Sequence, residues 1–321
     1  MQAVVHNRFG SPREVLELEE VEKPEPADDD VLVRVRAASI NPVDWYGLAG
    51  RPYVARPIMG LLKPKDRAVG MDFAGTVEAV GRDVTKFRPG DEVFGRSGAF
   101  SEYVCVSESV APKPADLTFE QAAAVPVAAI TALQGLRDHG QLQPGQKALI
   151  NGASGGVGTF AVQIAKALGA EVTAVCSTRN VEQARSLGAD RVIDYTREDF
   201  TRGGERYDVI LDVAGTRSWS RYRRVLNPHA TLVMVGAPKT NPFLGPLGHV
   251  IRVRLAAWRG EQKAVFFVAK LKAADLEVLR ELLEAGKVTP VIDRRYELSE
   301  IADAFQYLGE GHAQGKIVIT V

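Results

Sequence analysis

The residues best suited to chemistry lie in one run, Gly-Ala-Ser-Gly-Gly-Val-Gly at 152–158. The chemistry is binding rather than bond-making. Bare backbone lets a ligand come close, and a helix starting at such a turn offers N–H groups without internal acceptors, plus the positive end of its dipole, to an anion. Farther on, Ser177, Thr178 and Arg179 supply two hydroxyls and a cation. Folds that hold the 2′-hydroxyl of NAD place an Asp or Glu about 20 residues beyond the glycines, and the stretch 172–180 has neither. Hydroxyls and a guanidinium suit a 2′-phosphate, so the two motifs together point to NADPH. Two plainer readings compete: glycines that serve packing only, and an Arg179 that merely opens the next helix from solvent.

Such a turn works only between a strand and a helix. Residues 148–151 form a short apolar run, and Val157, Phe160, Ala161, Ile164, Ala165 and Leu168 then recur at helical spacing. Set against the dinucleotide fingerprint G-x-G-x-x-G, positions 153–158 put Ala153 at the first glycine. Ser154, Gly155, Gly156 and Val157 are then the residues whose backbone meets the pyrophosphate.

Around this core, strand-like runs at 148–151, 172–176, 191–193, 209–213, 231–235 and 265–268 alternate with helical text. This is the pattern of a doubly wound, parallel α/β sheet of Rossmann type. Residues before about 120 read instead as β-rich, with runs at 2–7, 15–21, 31–40, 75–80, 92–94 and 101–106 between Gly, Pro and Asp. Val31, Val33, Val35 and Ala37 alternate as in a sheet with one buried face, in a barrel or sandwich. Pro126 is expected to kink or divide the helical text after 118. The tail returns to strand at 288–298, a helix capped by Ser299, and a closing strand at 316–321. It is expected to rejoin the N-terminal part, which predicts domains at 1–121 with 270–321 and at 122–269, and a ligand cleft between them.

The chain has 321 residues, enough for two cores. Lys plus Arg number 40 and Asp plus Glu 40, so no net field argues for nucleic acid as a partner. The start, MQAVVHNRFGSP, has no signal-peptide pattern and no run approaches the ~20 apolar residues of a membrane span, so a cytoplasmic protein without stable membrane insertion is expected. Cys105 and Cys176, each in an apolar run, read as reduced core residues.

The chain resembles the medium-chain dehydrogenase/reductase superfamily, in its zinc-free quinone oxidoreductase (zeta-crystallin-like) branch. The likeness runs its whole length: INPVDW at 40–45, VGMDFAGTVEAVG at 69–81, FRPGDEVFG at 87–95, VPVAAITALQGL at 125–136, NGASGGVG at 151–158, LGAD at 187–190 and the closing GKIVITV. The resemblance implies a GroES-like β-barrel, discontinuous in sequence, beside the Rossmann domain, and a homodimer. It implies that Tyr195 flanks the adenosine phosphate, that Thr131 sits near the nicotinamide carboxamide, and that Val213, Gly236, Phe267 and Val268 line the ribose and nicotinamide end. It also puts Asn41 and Tyr46 against the nicotinamide, where an amide N–H or a phenol O–H could bind the substrate oxygen, with Tyr46 or water delivering the proton. Tyr53 is a further candidate substrate contact, and Asp44 is expected to hold a turn or an interdomain contact. The competing reading of Tyr46 is a core aromatic whose hydroxyl bonds to backbone.

Zinc-using relatives carry Cys, His and Cys where this chain matches with Asn41, Met71 and Val127, none of which offers a thiolate or imidazole. No metal is expected. None of the eight tyrosines has a lysine four places on, so the acid/base pair of short-chain reductases is absent too. Hydride addition to a quinone or an α,β-unsaturated carbonyl is less demanding, because the charge spreads into an enolate or phenolate. The expected activity is NADPH-dependent quinone or enone reduction of a small molecule. Enoyl-thioester reduction is an alternative, and so is a non-catalytic NADP(H)-binding sensor, membrane-associated or crystallin-like protein. Residues 240–262 stand apart from this pattern. Arg252, Arg254 and Arg259 with Val250, Leu255 and Trp258 could form a basic amphipathic membrane surface, or a helix bordering the substrate cleft.

Overall fold

Six strands of the computed structural model make one all-parallel sheet, in the order Arg191–Asp194, Glu171–Cys176, Lys147–Asn151, Tyr207–Asp212, Leu226–Met234, Lys263–Phe266. Structure is described for residues 1–107, 110–215, 217–236, 247–258 and 260–321. In sequence order the strands run 3-2-1-4-5-6, which reverses direction at the first strand, the one ending in the glycine turn. Leu149, Ile150, Ala174, Val175, Ile210, Leu211, Leu232 and Val233 are buried, as strands covered on both faces require. The last strand is Lys263–Phe266, two residues earlier than the apolar text predicts, because Phe267 leaves the sheet to stack on His139 with centroids 4.2 Å apart.

This sheet lies in a compact unit comprising Thr131–Ala269 and Gly286–Thr289; the other unit comprises Met1–Ile130, Lys270–Ala285 and Pro290–Val321. The second unit is built on a seven-stranded sheet ordered Ile292–Glu297, Lys316–Thr320, Val31–Ile40, Asp72–Val80, Glu92–Arg96, Val110–Pro112, with Tyr103–Val106 also paired to Val31–Ile40. The tail joins it directly, since Lys316–Thr320 runs antiparallel to Val31–Ile40. The strand Val110–Pro112 is too short to show a period and was not anticipated. Alternation in Val31–Ile40 holds only from Val33 to Ala37. Beyond it Ala38, Ser39 and Ile40 are all buried, with Ser39 Oγ donating to Ala123 O (2.8 Å) in the helix Phe119–Ala123. A second helix, Pro126–Leu133, follows, so Pro126 divides the helical text rather than kinking it.

The final helix corrects one local expectation. Leu298–Glu300 is a single 3-10 turn and the helix runs Ile301–Glu310, so Ser299 does not cap it. The Glu300 carboxylate accepts from Glu297 N at 2.9 Å instead. The buried face of that helix, Ile301, Ala304 and Phe305, packs into the barrel core, where Phe305 meets Phe100 edge to face at 6.0 Å.

Candidate active site

At the glycine turn the chain must bend twice. Gly152 takes φ +89°, so the left-handed bend falls one residue before the position the fingerprint assigns to the first glycine. That is why Ala153 is tolerated: its N–H bonds to Val175 O (3.0 Å) and its methyl is buried. Gly158 is needed for packing, since a Cβ there would meet Gly152 O at 2.1 Å. At Gly155 the same atom would meet nothing closer than 3.8 Å, so backbone is open to a ligand at the N-terminus of the 12-residue helix Gly156–Ala167. Ser154, Gly155, Gly156 and Val157 are all half-buried. A pyrophosphate fits this turn.

Four further predicted nucleotide contacts gather at the ends of two adjacent strands. Ser177, Thr178 and Arg179 follow Glu171–Cys176, with Thr178 and Arg179 exposed. Tyr195 follows Arg191–Asp194, is 54% exposed and donates its N–H to Cys176 O (3.0 Å). The sequence reading missed Asp194 here. Its carboxylate accepts from Thr178 Oγ1 (2.5 Å) and from Thr196 N (2.9 Å), and these bonds hold it below the usual carboxylate range. Val213 and Gly236 meet at the next strand ends, where a Cβ on Gly236 would lie 1.8 Å from Val213 O. Thr131 is buried in the helix Pro126–Leu133, while Phe267 is half-buried and Val268 76% exposed. Both cysteines are free thiols; Cys176 is buried, which pushes it up to about 11, and Cys105 is only half-buried.

In the barrel unit the polar groups are arranged differently. Asn41 opens the helix Pro42–Ala49 and is buried, with both ends of its amide engaged: Nδ2 donates to Asp72 Oδ2 (2.9 Å) and Oδ1 accepts from Lys316 Nζ (2.6 Å). Lys316 also donates to Ile40 O (3.2 Å) and Asp72 Oδ2 (3.3 Å), so its three N–H groups find three oxygens. Asp72 Oδ1 accepts from Val127 N (3.0 Å). The amide orientation follows from this, since a carboxylate faces its nitrogen and an ammonium its oxygen. One N–H of Asn41 has no hydrogen-bond partner among the described residues. Sequence reasoning missed Asp72 and Lys316, although a charged residue leading an apolar strand, as in KIVIT, can signal a buried partner.

The same geometry decides how a metal would fare. The amide oxygen at 41 faces a cation, Met71 offers a thioether, and Val127 lends only its backbone N–H, already donated. This donor set does not fit a catalytic zinc.

Tyr46 is half-buried with its ring edge-on to Trp45 (5.7 Å), and among the described residues its hydroxyl has no hydrogen-bond partner. The reading of a backbone-satisfied core phenol therefore does not describe it. Partial burial pushes the phenol up, which keeps it a donor. Tyr53 lies on the exposed turn Tyr53–Ala55, with Arg56 4.8 Å from its ring.

A cavity of about 460 Å³ opens beside these residues, walled by His6, Asp44, Met71, Arg96 and Ser97 among others. Neither Tyr46 nor Tyr53 lines it; the helix Pro42–Ala49 turns Val43, Asp44 and Gly47 to it. Asp44 accepts from Asn41 N (2.7 Å), and burial pushes its carboxyl up to about 7 against the pull of that bond. His6 is buried with Nδ1 unpaired, and desolvation lowers its pKa. Arg96, which also lines the cavity, exerts a Coulombic pull on Asp44 that partly offsets the burial.

A 3-2-1-4-5-6 parallel sheet with a glycine turn after its first strand, carried in one chain with a GroES-like barrel unit, defines a medium-chain dehydrogenase/reductase. Residues 27–115 match the family described as alcohol dehydrogenase GroES-like domain, and residues 187–319 the one described as zinc-binding dehydrogenase. Mouse mitochondrial NAD(P)H oxidoreductase RTN4IP1 is 38% identical over 330 residues, spanning 91% of this chain and 82% of the relative. The quinone oxidoreductase of Coxiella burnetii superposes with a TM-score of 0.88 at 31% identity, over 100% of this chain and 99% of that one. The Escherichia coli quinone oxidoreductase complexed with NADPH does so with 0.84 at 26% identity, over all of both chains. This chain belongs to the zinc-independent quinone oxidoreductase branch of the superfamily and is an oxidoreductase.

Proposed function

We propose that this protein is an NADPH-dependent reductase that passes a hydride to a quinone or an α,β-unsaturated carbonyl without a metal, acting as a cytoplasmic homodimer. The observation that carries the reading is the Lys316–Asn41–Asp72 network, in which Asn41, matched to a cysteine of zinc-using relatives, turns its oxygen to a protein cation and so offers a Lewis acid no ligand. Without one, an acceptor whose charge delocalises is favoured over a simple ketone. Bound NADPH supplies the hydride.

The chain's own residues bind, orient and protonate. First-turn amides at 156–158 and the open backbone of Gly155 receive the pyrophosphate. Ser177, Thr178 and Arg179 receive the 2′-phosphate, for which Thr178 must turn toward it the hydroxyl proton that it gives to Asp194 here. Thr131, Val213, Gly236, Phe267 and Val268 form the rest of the nucleotide contact. The remaining N–H of Asn41 and the unpartnered hydroxyl of Tyr46 are donors for the acceptor's oxygen, and Tyr46 or water supplies the proton. Domains at 122–269 for the nucleotide and at 1–121 with 270–321 for the acceptor complete the reading.

The decisive experiment is oxidation of NADPH and NADH, followed by nicotinamide absorbance, against quinones, short enones and enoyl thioesters. Turnover with NADPH on the first two classes is expected. NADPH binding with no turnover on any acceptor would favour the sensor reading. Arg179→Ala tests the cofactor separately: NADPH affinity should fall about 10- to 100-fold, the worth of a charge-assisted contact, with NADH unchanged.

A further inference from the structure

The segment after the helix Pro42–Ala49 carries large apolar side chains that no described residue covers. Val54 is 52% exposed, Ile58 78%, Leu61 67% and Leu62 87%. Among them stand Arg51, Arg56, Lys63, Lys65 and Arg67 against a single acid, Asp66. Arg67 is paired with Glu19, and Arg56 stacks on Tyr53 and Phe9, but Lys63 has no ion-pair partner among the described residues and the Lys65 ammonium donates only to Pro57 O there. A short segment of exposed apolar side chains interspersed with uncompensated cations forfeits burial free energy in water and recovers it at an anionic lipid surface, where the side chains enter the headgroup layer and the cations meet its charge.

We infer that residues 51–65 dock this protein on an anionic bilayer surface, and that its acceptor is a quinone dissolved in that bilayer. The segment leaves the wall of the cavity at Leu48 and returns to it at Asp66, both of which line it, so docking sets the cavity beside the lipid from which an apolar acceptor would enter. A second copy of the chain is the poorer occupant. A two-fold contact would set Arg51, Lys63 and Lys65 of one copy against the same basic segment of the other. The membrane contact rests on the patch alone; the nature of the acceptor rests on the reductase reading.

The helix Leu247–Ala257 repeats the chemistry in the other unit. Val250, Val253 and Ala257 are buried, so Val250 packs into the core rather than joining the amphipathic surface expected of it. Ile251, Leu255 and Trp258 are exposed on the opposite side, with Arg252 and Arg254 exposed and flanking them. Arg259 and residues 240–246 of the predicted stretch lie outside the described residues.

The test is flotation of the full chain with vesicles of phosphatidylcholine, alone or mixed with phosphatidylglycerol. Binding to the mixed vesicles is expected to be about tenfold tighter and to weaken with salt. Leu61→Gln/Leu62→Gln and Lys63→Gln/Lys65→Gln should each lower it about tenfold. Both variants should reduce a water-soluble short-chain quinone at the wild-type rate but a long-chain quinone in vesicles more slowly. Wild-type protein that fails to float with anionic vesicles, or variants that float as well as wild type, would overturn the docking. So would light scattering in which the Leu61/Leu62 variant dissociates an oligomer, for the occupant would then be a second copy. Floating protein that reduces no quinone in solution would remove the reductase reading and leave the docking intact.

Discussion

The glycine turn and the Asn41 network treat polar groups in opposite ways. At 152–158 the N–H groups of Gly152, Ala153 and Gly155 are donated within the protein, but those of Gly156, Val157 and Gly158, at the start of the helix, find no acceptor among the described residues. Around Asn41, Asp72 and Lys316 almost every donor and acceptor is consumed by the protein itself, in a site where Asp72 is fully buried and Lys316 nearly so. The contrast separates two uses of buried polarity: one stores binding capacity, the other fixes the conformation of the strand ends Ile40 and Lys316 and the start of the helix Pro42–Ala49. Removing a member of the first should cost binding, and removing a member of the second should cost stability.

The largest effect is expected from Lys316→Met, which leaves Asp72 buried without its cation. Urea unfolding should show a loss of about 3–5 kcal/mol, with NADPH affinity of the folded fraction unchanged. An unaltered unfolding midpoint would place the network among the weakly contributing polar groups and erase the contrast.

Asp44 sharpens it through pH. Its carboxyl is raised to about 7 by burial, so between about pH 4 and 7 the folded chain holds a proton that the unfolded chain has released. Stability from this group is therefore full below the ordinary carboxylate range and is lost as pH rises through about 7. The change is about 4 kcal/mol at ~1.4 kcal/mol per unit. Unfolding free energy measured across this interval should fall with pH in the wild type and flatten in Asp44→Asn; parallel curves would show that the carboxyl titrates normally.

On the binding side, Gly158→Ala puts a methyl 2.1 Å from Gly152 O and must reshape the turn. NADPH affinity measured by fluorescence titration should drop at least ~100-fold, about 2.7 kcal/mol. Retained affinity would mean that the turn is not where the pyrophosphate sits. The smallest effect is assigned to Tyr46→Phe. If water can deliver the proton, quinone turnover should fall only about two- to tenfold, less than the usual contribution of a positioned acid.

Much of this was legible before any coordinates. The alternation of apolar strand runs with helical text from 148 onward specified a parallel sheet, because strands buried on both faces leave no polar positions to confuse the period. Barrel strands were located, but their ends were not: Phe73 and Ala74 extend the strand Asp72–Val80 beyond the predicted 75–80, and Val110–Pro112 is held by its neighbour Glu92–Arg96 rather than by its own pattern. Capping at 297–300 also escaped, since a carboxylate three residues on bonds as well as a serine hydroxyl.

Residue types alone decided the glycine turn, the absence of thiolate and imidazole at 41, 71 and 127, and the cation and hydroxyls at 177–179, because each depends on what a side chain is or lacks. Tertiary structure alone decided that Asn41 is bound between Lys316 and Asp72, that Asp194 holds Thr178, and that Asp44 carries a carboxyl raised to about 7. Those partners lie 275, 31 and 16 residues away in sequence for the first three contacts, and desolvation depends on what the fold packs around a group. A local pattern carries neither quantity.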